Sequence, residues 1–159
     1  MVLPVRFPLR VRIYDGAMER IVTARRVAER AFAMETWFGH TVAAESGAPE
    51  PAAAAGPAPM ELLLAGLAAC AADTFTQILV KMRVPFTDVR VHVSGERAST
   101  PPRVWAAIHY GVEVVGDVPE DRAERALALV ARTCPASVML AKAAEVTSSV
   151  EVIAPSGTR

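Results

Sequence analysis

The chain is poor in cysteine, with two residues, Cys70 and Cys134, among 159. That excludes a disulfide-rich framework, in which several bridges staple a small core. It has no excess of charge of either sign, because 17 basic residues balance 17 acidic ones and the arginines are spread along the chain. Nucleic acid therefore meets no global field that would attract it. Long apolar runs are missing too. The longest uncharged one, Leu62 to Ala72, is about half a bilayer crossing and is followed at once by Asp73. Arg6, Arg10 and Arg12 interrupt the N-terminal segment where a signal peptide would be apolar, so a cytoplasmic protein with no membrane partner is expected. His40, His92 and His109 are well separated, and none stands at ligand spacing to a cysteine; no metal and no cofactor are expected.

What is present is apolar surface. With 52% hydrophobic residues, a chain of 159 supports one substantial core, so residues 1–159 are read as a single domain. Val5, Phe7, Leu9, Val11 and Ile13 alternate with polar residues and proline, the period of a half-buried strand, and Pro4 and Pro8 confine it to an edge. Asp15-Gly16 supplies a turn, and strands are expected over 21–28, 31–37 and 41–44. The proline- and alanine-rich stretch from Ser46 to Pro59 reads as a loop. A helix is expected over 60–83, with Pro59 and Glu61 suited to its start and Pro85 beyond its end. Its first half is apolar all round and has to be enclosed on every side. A domain this small has difficulty doing that alone, so a homodimer with this helix at its centre is expected.

Further on, Val89, Val91 and Val93 and then Ile108, Tyr110, Val112 and Val114 mark the two strands of a hairpin. Asp117 is expected to cap a second helix running up to Cys134, and Pro135 to start a third through Ala144. Val146 to Val152 closes the chain as a strand. The order of strands, helix, strands, helices and strand is an α+β pattern without βαβ repetition.

The two thiols admit opposite readings. Cys134 precedes a helix-starting proline, where amide groups favour thiolate, whereas Cys70 lies mid-helix among alanines, where burial favours thiol. Either sulfur is equally readable as a small core hydrophobe. In a reducing compartment any bond between them would be transient and chemical.

The residues around them are more specific. Pro59-Met60-Glu61-Leu62-Leu63-Leu64-Ala65-Gly66-Leu67-Ala68-Ala69-Cys70, followed by Asp73 and Lys81-Met82-Arg83, resembles the first cysteine helix of the OsmC/Ohr family of peroxide-reducing proteins. Gly95-Glu96-Arg97, Pro101-Pro102-Arg103 and Cys134-Pro135-Ala136-Ser137-Val138-Met139-Leu140 follow in that family's order, and two cysteine motifs in register are a strong signal. The resemblance covers about 28–153, is strongest to the OsmC-like subgroup whose helix begins Pro-Met-Glu, and leaves 1–27 as an extra N-terminal strand. It implies an intertwined homodimer, with antiparallel sheets wrapped around central helices and sites at the subunit interface. It also implies reduction of organic hydroperoxides, with Cys70 as the attacking thiolate, Cys134 as the resolving thiol and a dithiol reductant to reset the pair.

The family's activating pair is an arginine and a glutamate ten residues before the first cysteine. Met60 holds that glutamate's place here; Glu61 is one residue late and, at 3.6 residues per turn, points about half a turn from Cys70. Arg30 is the best match for the arginine, with Arg25 and Arg26 behind it. The departure at Met60 leaves a second expectation, an OsmC-like dimer with little peroxidase activity that binds a small apolar ligand in its cleft. Trp37, Phe38, Phe75, Phe86 and Trp105 are candidates to line a pocket, although core packing is the commoner role of such residues. Lys81 and Arg83 most simply solvate the helix end.

Overall fold

The computed structural model describes residues 22–47 and 53–155. The expected strand from Val5 to Ile13, the Asp15-Gly16 turn and Ile21 lie outside the described residues. The chain divides into two compact units, Met1–Ala58 and Pro59–Arg159.

In the first unit, β1 (Thr23–Arg26), β2 (Ala31–Glu35) and β3 (Thr41–Glu45) form an antiparallel meander. β1 is shorter than the expected 21–28. Val27 N–H bonds back to the Ala31 carbonyl at 2.9 Å and the Arg26 guanidinium donates to the Ala28 carbonyl at 3.0 Å, which turns the chain early. Beyond β3 the chain folds back, with Glu45 N–H on the Pro57 carbonyl at 3.1 Å. Gly56 is required there, since a Cβ would stand 2.4 Å from the Ala43 carbonyl oxygen.

The second unit packs three helices on a sheet. α1 (Pro59–Lys81) lies on β4 (Asp88–Arg97), which pairs with β5 (Trp105–Val115) as the expected antiparallel hairpin. α2 (Glu120–Thr133) and α3 (Pro135–Leu140) then lead to β6 (Glu145–Ile153). The expectation of antiparallel pairing fails at β6, which runs parallel to β5 from Ala107↔Glu145 to Val115↔Ile153. Alternation along the strand gives its buried face and not its direction; the helical crossover through α2 and α3 supplies the length that a parallel pair needs. β5 and β6 thus enclose a single βαβ-type crossover, a unit the element order had not suggested.

The inner face of β5, Ile108, Tyr110, Val112 and Val114, meets the buried stripe of α1, Leu67, Ala71, Phe75 and Leu79, and that of α2, Ala123, Ala126 and Val130. On the outer face, exposed His92 stands 3.2 Å from Glu113, and exposed His109 lies between the Thr147 and Ser149 hydroxyls at 2.9 and 3.1 Å.

By length and composition alone, the 23 residues of α1 would suffice to cross a membrane. Its one regular buried stripe is that of a helix packed on a core. Among the described residues the expected enclosure on every side is incomplete, because Leu63 and Val80 remain exposed. The start of α1 is pinned from the sheet. The Trp105 indole N–H donates to the Met60 carbonyl at 3.1 Å, the Arg97 guanidinium stacks 5.0 Å from the ring centroid, and a Cβ on Gly95 would meet the same ring at 2.7 Å.

Helix ends differ from expectation in instructive ways. Asp117 does not cap α2; the N-cap is Pro119, with no side-chain hydrogen bond, and acidic Glu120 and Asp121 in the first turn favour that end electrostatically. α3 stops at Leu140 rather than Ala144, where turns carry the chain into β6. α1 closes with Arg83 N–H on the Val80 carbonyl and Val84 N–H on the Leu79 carbonyl, at 3.0 and 3.1 Å. This is a Schellman closure in which Arg83 takes φ 55°, the left-handed conformation usually given to glycine. Arg83→Gly is therefore expected to stabilise the protein by about 0.5–1 kcal/mol, read as a raised urea midpoint at unchanged slope; a lowered midpoint would contradict this account of the closure.

Candidate active site

Helix packing decides where the sulfurs go. Cys134 continues the buried stripe of α2 and stands at the joint between helices, where its N–H caps α2 on the Val130 carbonyl at 2.8 Å. Its carbonyl opens α3 by accepting from Val138 N–H at 3.0 Å, with Pro135 in the first position, where its missing N–H costs nothing. Cys70 lies on α1 beside the stripe of Leu67 and Ala71. Where the two helices meet, the sulfurs are 3.3 Å apart, both as free thiols, Cys134 wholly buried and Cys70 partly exposed. A bonded pair needs about 2.05 Å, so a movement of little more than 1 Å would join them.

The environments of the two thiols are unequal. Burial pushes the Cys134 thiol up from its ordinary range; the backbone amides of Ser137 and Ala136 act the other way, while the hydrogen bond and charge of Cys70 add to the rise. Desolvation is the largest of these effects. The helix start does favour the Cys134 thiolate as expected, but burial outweighs it: two amides offset only part of the desolvation.

Beside Cys70 opens a cleft of about 520 Å³, lined on the α1 side by Cys70, Asp73, Thr74, Gln77, Ile78 and Lys81. Leu129, Thr133 and Pro135 form the opposite wall. Thr74 Oγ1 donates to the Cys70 carbonyl at 2.8 Å and Gln77 Nε2 to Asp73 Oδ2 at 2.7 Å, so the polar groups flanking the thiol are held in place. Among the described residues, the cation lining this cleft is Lys81. It stands 11 residues beyond Cys70, about 16 Å along the helix axis. Its reading as a mere solvating end missed this wall. The signal was available, because Cys70, Asp73, Thr74, Gln77, Ile78 and Lys81 recur at helical spacing as a mixed polar stripe.

The other candidates are each described within their own unit. Glu61 is exposed in the first turn of α1, about 13 Å along the axis from Cys70. Arg30 immediately precedes β2 in the first unit, where its guanidinium packs against Gly47: a Cβ there would meet Arg30 Cζ at 2.9 Å. Arg25 and Arg26 are exposed on β1. The aromatic lining is not found: the described lining of the cleft has no aromatic side chain. Phe75 is core, Phe86 packs against that core, Trp105 pins α1, and Trp37 and Phe38 are exposed in the β2–β3 turn. Among the described residues, no cluster of three or more metal-binding side chains occurs.

A crossover sheet under a long helix that presents one thiol to another defines an α+β dithiol protein. The chain belongs to the OsmC-like protein family, whose model matches residues 51–149. It is 32% identical over 125 residues to Protein YhfA of Escherichia coli strain K12, covering 77% of this chain and 90% of that one. A hypothetical protein from Aquifex aeolicus VF5 superposes with a TM-score of 0.77 at 25% identity, covering 88% of this chain and 100% of that one. An organic hydroperoxide resistance protein OsmC from Legionella pneumophila superposes at 0.66 with 21% identity, covering 86% and 99%, a likeness of fold.

The unequal burial predicts selective labelling. In native protein at pH 7, iodoacetamide should modify Cys70 at least about tenfold faster than Cys134, and the difference should vanish in guanidinium. Equal native labelling of both, mapped by peptide mass, would contradict the placement of Cys134.

Proposed function

We propose that the protein is a thiol-dependent peroxidase that reduces organic hydroperoxides. The observation that carries this reading is the 3.3 Å approach of Cys134 to a Cys70 sulfur beside a cleft large enough for a small organic substrate. Family membership and the hydroperoxide-resistance protein of Legionella among its structural neighbours support it. The Cys70 thiolate attacks the terminal peroxide oxygen, forming an S–O bond as the O–O bond breaks, and the alcohol leaves. Cys134 then displaces hydroxide from the Cys70 sulfenic acid and closes a disulfide, which a dithiol reductant reopens. Arg30 is taken as the activating cation and Glu61 as its acidic partner, in a cytoplasmic homodimer. With a dithiol present, the wild-type protein should consume cumene hydroperoxide catalytically, and Cys70→Ser should lower turnover at least about a thousandfold, to the uncatalysed level. Retained turnover in that variant would reject the role given to Cys70.

The homodimer rests on α1, whose apolar Leu63 and Val80 and small Ala65, Gly66 and Ala69 stay exposed on a helix that is otherwise a core element. A second copy covers that face most simply. Sedimentation at micromolar concentration should give twice the chain mass of 16.9 kDa; a monomer would reject it.

One observation favours a second reading, an OsmC-like dimer that binds a small apolar ligand. Met60 occupies the place of the family's glutamate, and its carbonyl is engaged by Trp105 in pinning the helix. Such a binder would retain the ligand without consuming hydroperoxide, so the turnover assay separates the two.

A further inference from the structure

A resolving thiol that burial keeps protonated poses a chemical problem, because only its thiolate attacks a sulfenic acid. Among the described residues lining the cleft there is no histidine, and the carboxylate there is Asp73, three residues beyond Cys70 on α1, which accepts from Gln77 Nε2 at 2.7 Å. Among the described side chains, the one hydrogen-bonded to the Cys134 sulfur is Cys70, at 3.3 Å. In that contact Cys134 Sγ is the donor and Cys70 Sγ the acceptor, so the Cys134 hydrogen points at Cys70.

We propose that Cys134 acts before it resolves. Its S–H donates to the Cys70 thiolate in the resting enzyme and then supplies the proton that the departing alkoxide takes, so the first step creates the nucleophile of the second. This rests on the hydroperoxide reading above. As Cys70 S⁻ attacks, the S–O bond forms, the O–O bond breaks, Cys70 is oxidised by two electrons and RO⁻ is released. RO⁻ takes the Cys134 proton and leaves as ROH. Cys134 S⁻ then attacks the Cys70 sulfenic sulfur, the S–S bond forms and hydroxide departs to water. Each electron pair is placed, and the only oxidant is the hydroperoxide. Burial of Cys134 thereby has a use: its thiolate exists only when a sulfenic acid stands beside it, so it is not consumed by other oxidants.

The test uses Cys134→Ala and Cys134→Ser, each retaining Cys70 as the single cysteine. With no peroxide present, Cys70 alkylation by iodoacetamide at pH 7 should slow about three- to tenfold in Cys134→Ala, and Cys134→Ser, which keeps a donor, should recover part of the loss. With one equivalent of cumene hydroperoxide and no reductant, single-turnover loss of the hydroperoxide, which reads the first step whether or not a disulfide follows, should likewise slow about tenfold or more in Cys134→Ala, with Cys134→Ser intermediate. If Cys134 only resolves, both variants form the sulfenic acid at the wild-type rate, and that result overturns the proposal. Should alkylation follow the expected order while wild-type protein consumes no hydroperoxide, the hydrogen bond stands, but the proposed function fails and takes the proton transfer with it.

Discussion

The contact between α1 and the end of α2 governs the rest. Leu67, Ala71, Phe75 and Leu79 on one helix meet a facing stripe in which Ala123 and Ala126 let the backbones come close and Val130 leads on to Cys134. Interiors are packed like organic crystals, so a helix pair seated this way fixes side-chain positions to fractions of an ångström. The thiols are therefore neighbours because of apolar packing 64 residues apart in sequence, and not because either seeks the other. The Trp105 pin on Met60 and the Schellman closure at Arg83 hold the two ends of α1, and so the height of Cys70 along the joint.

Burial then divides the labour. Cys134, capping one helix and opening the next, is closed off from solvent, and desolvation outweighs the two amides that favour its thiolate. Cys70, on the α1 wall of the cleft, meets whatever enters. A pair with both thiols exposed would be indiscriminately reactive, and a pair with both buried would be inert. One of each gives an entrance and a reserve.

Much of this was legible in the residues. The α1 helix was visible from its apolar run between Pro59 and Pro85, the β4–β5 hairpin from its alternation, and the cysteine motifs from their order. What escaped has physical reasons. The parallel run of β6 cannot be read from Val146 to Val152, because period-two patterning encodes a face and not a direction. Asp117 looked like a cap, but Pro119 fixes the chain in the extended region and takes that position itself. The aromatics were open to a pocket or to core packing, the commoner role, and depth decides between them: the core claims Phe75 and a sheet glycine makes room for Trp105. Cys134 was readable both as a thiol favoured by amides and as a small core hydrophobe, because a helix start is visible in sequence while the depth at which it is buried is not.

Intact-mass and peptide analysis after one equivalent of an alkyl hydroperoxide, with no reductant present, tests the account most directly. The account predicts loss of two hydrogens, located in a single peptide pair that joins Cys70 to Cys134 within one chain. Accumulation of Cys70 carrying one or two added oxygens, with Cys134 still a titratable thiol after unfolding, would contradict it.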